Sequence, residues 1–257
     1  MKQDWKQNLS GRGQAVTKRP EPKIAEREPT IRVTPYLELP PHGAPLLSER
    51  QRQALIQLAT RLRLPSRMIV YEEDSPAKWL FIVADGAVKT FRDLPSGRRR
   101  IANFLFRGDI FGLAEKGKYV NTAQVLTRSS LYRIGLAELT DAFHHDVSLQ
   151  YVFLCKVTHE LREQQRRAIA IARRDAPGRL AMFLVMLRSH LFGPESHQEL
   201  IPLVMSRSDI ADYLALSREA TSRASTELER RGLVEFQRGR MVKIVDDGKL
   251  IRLAAAV

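Results

Sequence analysis

Residues 206–223 read Ser-Arg-Ser-Asp-Ile-Ala-Asp-Tyr-Leu-Ala-Leu-Ser-Arg-Glu-Ala-Thr-Ser-Arg. Ser206 stands at the N-cap of a helix over Arg207 to Leu214, and Asp209 puts a negative charge in its first turn, where the helix dipole favours one. Ile210, Ala211 and Leu214 share its inward face. Ala215-Leu216 leave room only for a tight turn before Ser217, a second cap, opens a helix from Arg218 to Arg231. Gly232 follows where a left-handed stop belongs. Leu233 to Phe236 and Met241 to Val245 read as two short strands around Arg238-Gly239-Arg240. Helix, turn, helix and hairpin in this order form a winged helix-turn-helix, which offers its second helix to the major groove of DNA.

Glu219, Ser222 and Arg223 lie at i, i+3 and i+4, so they share one face of that second helix, beside Arg218. Arg223 can donate twice to guanine O6 and N7, Glu219 can accept from cytosine N4, and Ser222 can meet a base edge or a thymine methyl. An i,i+4 Glu–Arg pair alone is an ordinary solvated pair. The capped preceding helix, the tight turn, the basic wing and the dimer seam upstream give Arg218, Glu219, Ser222 and Arg223 a base-reading role. Arg207, Ser217, Arg238, Arg240 and Lys243 are the matching candidates for phosphate contacts that set register.

Upstream, a helical stretch runs from about Val147 to Arg174. Val147, Leu154, Leu161 and Ala168 recur every seven residues, and Val157, Gln164 and Ile171 fill the second seam position. So long and narrow a seam predicts pairing with a second long helix in a homodimer, with Arg162, Arg166 and Arg167 as flanking charges. Pro177-Gly178 ends the stretch, and Leu180 to Leu187 can seed a further core.

Before the long helix the period changes to two. Residues 68–71, 79–83, 87–91 and 100–105 read as strands, with a further pair near 122–125 and 130–134. Asp74-Ser75-Pro76, Asp85-Gly86, Pro95-Ser96-Gly97 and Arg107-Gly108-Asp109 supply the turns, and the spacing predicts a small antiparallel barrel or roll. Ahead of it Ser48 caps a short helix with Leu55, Leu58, Ala59 and Leu62 on one face. Residues 1–44 are polar, basic and proline-dotted and read as a disordered tail, whose Gly11-Arg12-Gly13 and Lys18-Arg19 can touch phosphates. The domain reading is therefore a tail over 1–44, a roll over 45–146, a dimerisation helix over 147–175 and a winged helix-turn-helix over 176–257, an α+β chain.

A net charge of +13 favours a polyanionic partner, and nucleic acid or an anionic membrane both fit it. The absence of any run of 18 apolar residues argues against a membrane span, and no basic amphipathic anchor points to a membrane surface. The single cysteine, Cys155, excludes a disulfide within one chain, a Cys₄ zinc site and a four-cysteine iron–sulfur cluster, and it suits a reducing cytoplasm. No Walker loop, HExxH, GxSxG or Rossmann fingerprint occurs, so no enzyme chemistry is expected.

The stretch 206–223, the roll with Asp85-Gly86 and Gly108-Asp109-Ile110-Phe111-Gly112, and the long helix together resemble the CRP/FNR regulators over roughly Leu46 to the C-terminus. The resemblance implies a cyclic-nucleotide-binding-like roll, double-stranded DNA and RNA polymerase as partners, and control of promoters. Glu219, Ser222 and Arg223 resemble the FNR and FixK branch, which reads TTGA-type half-sites. Arg218 resembles instead the CRP branch, which reads TGTGA-type sites, and Ala215 replaces the glycine usual in the turn. Cyclic-nucleotide-binding members carry an arginine that neutralises the cyclic phosphate. Here Asn121 stands in its place and the cassette Phe111–Ala123 is short, so no cAMP binding and no cofactor are expected, although Lys116 or Lys118 can substitute. A haem-, cAMP- or metabolite-gated regulator of the same fold is the alternative, with His144, His145 and His159 as the histidines on offer.

Overall fold

The computed structural model describes residues 48–193, 196–238 and 240–255. The tail reading of residues 1–44, with its phosphate-contact candidates, lies outside them, as does Gly239.

Helix α1 (Glu49–Gln57) opens on Ser48 in a capping box with Gln51 and buries Leu55. The chain then extends into β1 (Thr60–Leu64), so Leu62, expected on the helix face, stands on a strand. Strands β2 (Ile69–Tyr71), β3 (Trp79–Asp85), β4 (Val88–Asp93), β5 (Arg99–Leu105), β6 (Ile110–Phe111), β7 (Ala114–Glu115), β8 (Lys118–Tyr119), β9 (Thr122–Val125) and β10 (Ser129–Gly135) complete the roll. Two antiparallel four-stranded sheets, ordered β1-β10-β3-β6 and β2-β9-β4-β5, form its walls, and β7 and β8 make a small separate hairpin. Gly86 turns β3 into β4 at φ +90°, and a Cβ there would fall 2.2 Å from the Ser129 hydroxyl, so only glycine fits.

Side chains alternate across these walls. Tyr71, Phe81, Val83, Val88, Leu105, Phe111 and Tyr119 fill the roll. On the outer side of the first sheet, Leu80 and Ile134 meet Leu55 together with Leu139, Leu149 and Phe153 from the next two helices. These are α2 (Leu136–His145), not anticipated from the sequence, and α3 (Val147–Arg173), 27 residues long and capped by Asp146.

Ala87, Phe91, Ile101 and Phe104 face out from the second sheet onto the C-terminal elements. Those are α4 (Ala176–Phe192), β11 (Leu200–Pro202), α5 (Arg207–Leu214), α6 (Arg218–Arg230), β12 (Val234–Gln237), β13 (Met241–Ile244) and α7 (Asp247–Ala255). Asp175 caps α4, with Pro177 in its first turn, where a missing N–H costs nothing. Phe183, Leu184, Leu187 and Leu214 are fully buried, each stabilising by about 1.5–3 kcal/mol. The C-terminal sheet has the order β11-β13-β12, so β11 adds a third strand to the expected hairpin. Among the described residues no helix is long and apolar enough to cross a membrane.

Candidate nucleic-acid interface

Helix α5 begins with a reciprocal box: the Asp209 N–H donates to Ser206 Oγ at 3.0 Å, and the Asp209 carboxylate accepts the Ser206 N–H at 3.2 Å. It ends at Ala215, whose φ of 55° and ψ of 42° are left-handed. The turn is braced by Arg179 of α4, whose Nη1 donates to the Leu214 and Ala215 carbonyls at 3.2 and 3.4 Å. Ser217 then caps α6 by accepting the Ala220 N–H at 3.0 Å. Thr221, Ala224 and Leu228 are buried at i, i+3 and i+7, which leaves the opposite face to solvent.

On that open face stand Glu219, Ser222 and Arg223, all exposed, with Arg218 beside them. The Glu219 carboxyl is held below its ordinary range by its own backbone N–H, by the Ser217 hydroxyl and then by the charges of Arg223 and Arg218, so it meets a ligand as an acceptor. Arg218 Nε donates to Ser208 Oγ at 3.1 Å, which anchors this guanidinium to α5. Glu227 closes ion pairs with Arg230 and Arg231, both at 2.7 Å, and these contacts lower its carboxyl to about 2.

Arg207, Ser217, Arg238 and Arg240 are exposed. Arg240 holds φ 61° at the hairpin turn, and its carbonyl accepts the Leu203 N–H at 2.7 Å. Lys243 lies on β13, 3.8 Å from the Glu199 carboxylate.

Along α3, Val147, Leu154, Val157 and Leu161 are exposed by 72, 58, 43 and 58 %. These side chains form an exposed apolar stripe along the helix. Tyr151 and Ile169 add to the exposed stripe, which the heptad count missed. Ala168 is exposed and Ile171 half-buried, whereas Gln164 turns to its own roll and donates to Asn103 Oδ1 at 2.6 Å. Cys155 is buried on the opposite side as a packed thiol.

In the roll, Tyr71 and Tyr119 stack at 3.8 Å, Tyr71 and Phe81 at 5.7 Å, and Phe81 and Phe111 at 5.3 Å. Asn121 Oδ1 accepts the Tyr71 hydroxyl at 3.2 Å, and burial raises that phenol's pKa. A shallow groove of about 260 Å³ beside the β7–β8 hairpin is lined by Glu73, Arg92, Glu115, Lys116 and Lys118. His144 and His145 are exposed at the end of α2, and His145 Nδ1 lies 2.7 Å from the Asp141 carbonyl. No cluster of three metal-ligating side chains occurs among the described residues.

Two contacts that no local pattern announced hold the motif in place, and one of them takes Arg167, expected as a flanking charge of the α3 seam, to the chain's own roll. Lys89 of β4 reaches Asp209 of α5 at 2.5 Å with both side chains about nine-tenths buried. Arg167 of α3 donates to the Ile101 and Ala102 carbonyls and lies 4.1 Å from the Tyr213 ring centroid. A lysine inside the apolar run Ala87–Phe91 was the one sequence signal that a buried carboxylate partner was needed.

Comparison with known proteins agrees with this geometry. Residues 178–253 match the Crp-like helix-turn-helix domain, and residues 61–146 match the cyclic nucleotide-binding domain. The chain is 30% identical over 207 residues to the nitrogen fixation regulation protein FixK of Azorhizobium caulinodans, covering 80% of this chain and 84% of that one. It is 28% identical to the transcriptional activator protein anr of Pseudomonas aeruginosa, covering 72% and 76%. Among solved structures, FixK2 from Bradyrhizobium japonicum superposes with a TM-score of 0.71 at 30% identity, covering 77% of this chain and 98% of that one.

Proposed function

Because the chain belongs to the CRP/FNR family of DNA-binding transcription regulators, we propose that it acts as a homodimer that reads a palindromic operator of TTGA-like half-sites without a small-molecule effector. The observation that carries this reading is the solvent-facing triad Glu219, Ser222 and Arg223 on a helix whose other face is packed and whose start is capped. Arg223 and Glu219 make the base-edge contacts, Ser222 packs beside them, and Arg218 supports them from its Ser208 anchor. Arg207, Ser217, Arg238, Arg240 and Lys243 hold phosphates. The exposed α3 stripe pairs with its counterpart, which places two recognition helices about 34 Å apart in successive major grooves.

Ligand independence is favoured by the stacked rings of Tyr71, Phe81, Phe111 and Tyr119, which fill the interior of the roll. It is favoured also by Asn121, an amide already engaged by Tyr71, at the position where an arginine would meet a cyclic phosphate. The relatives named as activators and as nitrogen fixation regulators suggest promoter activation through RNA polymerase in the cytoplasm.

The test is selection of bound duplexes from a random pool with purified full-length protein, with and without cAMP. Inverted TTGA-like half-sites enriched equally in both arms support the proposal. Enrichment only with cAMP, or of TGTGA-like half-sites, favours the ligand-gated reading, and no enrichment in either arm overturns both.

A further inference from the structure

The helix-turn-helix is fastened to the roll by more than apolar packing. Asp209 uses one carboxylate oxygen to complete the α5 cap, accepting the Ser206 N–H at 3.2 Å and its hydroxyl at 2.7 Å. The other oxygen accepts from Lys89 Nζ at 2.5 Å, across 120 residues of chain. Around this pair Phe104 of β5 meets Tyr213 of α5 at 5.1 Å and Phe183 of α4 at 6.0 Å. Arg167 spans the same seam, joining α3 to β5 and to the Tyr213 ring.

Apolar faces slide past one another at modest cost, because dispersion and burial are non-directional. A buried ammonium–carboxylate pair does not tolerate sliding, since displacement leaves two uncompensated charges in a medium of low dielectric. Such a pair is therefore a register device. The groups it registers are the α5 N-terminus on one side and β4 on the other. Helix α6 follows α5 after only Ala215, Leu216 and Ser217, so the angle of α5 is inherited by the proposed reading face.

We propose that Lys89 is a positioning residue for DNA reading: by holding Asp209 it locks the helix-turn-helix to the roll and so fixes the separation and rotation at which the two recognition helices of a dimer meet the duplex. This rests on the DNA-reading function proposed above. A one-base-pair change in half-site separation rotates one half-site by about 35° around the duplex, so a rigid dimer discriminates sharply between spacings.

The experiment measures affinity of the full-length protein for duplexes carrying two selected half-sites at stepped separations, and for a duplex with one half-site. Wild-type protein is expected to prefer its best spacing over its neighbours by about tenfold or more. Lys89→Met lowers that preference to about threefold or less while single-half-site affinity stays within about twofold, because the reading face is untouched. Lys89→Arg, which can still reach the carboxylate, restores the spacing preference. General loss of stability would lower both affinities together and would not produce this split.

Asp209→Asn keeps an acceptor for Ser206 and frees a lysine long enough to reach solvent. It carries the same test should Lys89→Met not fold. A folded variant of either kind with an unchanged spacing profile overturns the positioning role. Wild-type protein that binds neither duplex overturns instead the DNA-reading function on which it depends.

Discussion

Glu229 Oε1 accepts the backbone N–H of Phe236 at 2.9 Å, which ties the last turn of α6 to the first strand of the wing. The helix that carries Glu219, Ser222 and Arg223 is thereby joined to the hairpin that carries Arg238 and Arg240. In the proposed DNA complex, contacts made by the wing would set where the helix lands, and contacts made by the helix would decide which sequence is kept.

Arg223→Ala and Arg240→Ala are expected to fail in different ways. Loss of Arg223 costs about 1–3 kcal/mol on the selected operator and relaxes preference at one base position per half-site. Loss of Arg240 weakens all duplexes about equally and reduces the salt slope by about one per neutralised phosphate. Competition binding against single-base operator variants at several salt concentrations separates the two. Uniform loss in both variants would remove Arg223 from the reading face.

Ala215 is an L-residue in a left-handed conformation, at φ 55° and ψ 42°, where a Cβ crowds the following carbonyl. Ala215→Gly removes that crowding, partly offset by the greater freedom of glycine in the unfolded chain. The net expectation is a stabilisation of about 0.5–1 kcal/mol in urea unfolding, with the selected operator unchanged. Destabilisation would mean that the methyl group contributes packing that outweighs its strain.

Elements with local signals were legible in the sequence. Ser48, Ser206 and Ser217 each cap the helix that follows, and the α3 heptads begin at Val147 as the spacing predicts. What escaped notice is held by distant partners. Strand β1 has Leu62 at a spacing that also suits α1, and only its pairing of Leu62 with Leu131 of β10 decides the matter. Helix α2 follows Gly135, which offers no side-chain cap, so nothing local announces it. Strand β11 is three residues long and exists because Ile201 pairs with Val242. Helix α7 packs on α4 through Leu250 and Ala254, beyond the wing where the reading of the motif stopped. The shared exposed face of Glu219, Ser222 and Arg223 was legible because i, i+3, i+4 spacing needs no tertiary partner, whereas the Lys89–Asp209 pair joins residues that no local pattern connects.

Leu161 is 58 % exposed at the middle of the α3 stripe, so Leu161→Glu adds a charge to the proposed dimer seam without disturbing the chain's own core. The expected outcome in sedimentation is a monomer whose melting differs from wild type only through loss of association. Affinity for a full palindrome should fall to that for one half-site, while affinity for the half-site persists. A variant that remains dimeric would place the interface elsewhere.

Asp109 links three elements. Its carboxylate lies 2.6 Å from His190 Nε2 of α4 and 3.6 Å from Lys156 Nζ of α3, and it accepts the Phe106 N–H at 2.9 Å. Burial pushes this carboxyl upward, but the His190 contact, the two cationic charges and the Phe106 N–H outweigh it and leave it below its ordinary value of 3.8. A carboxyl depressed in this way binds fewer protons folded than unfolded, so its stabilisation is present above the unfolded value and is lost as pH falls through the folded one. Asp109→Asn keeps an acceptor for Phe106 and removes the charge, and is expected to cost about 1–3 kcal/mol at pH 7. The gap between the two proteins should hold down to about pH 5 and close progressively below it. Comparing the pair in urea across pH cancels the other depressed carboxyls, such as Asp209, and the raised Asp212, which runs in the opposite direction. A gap that stays constant into acid would mean that packing around residue 109, and not its charge, joins α4 to the roll.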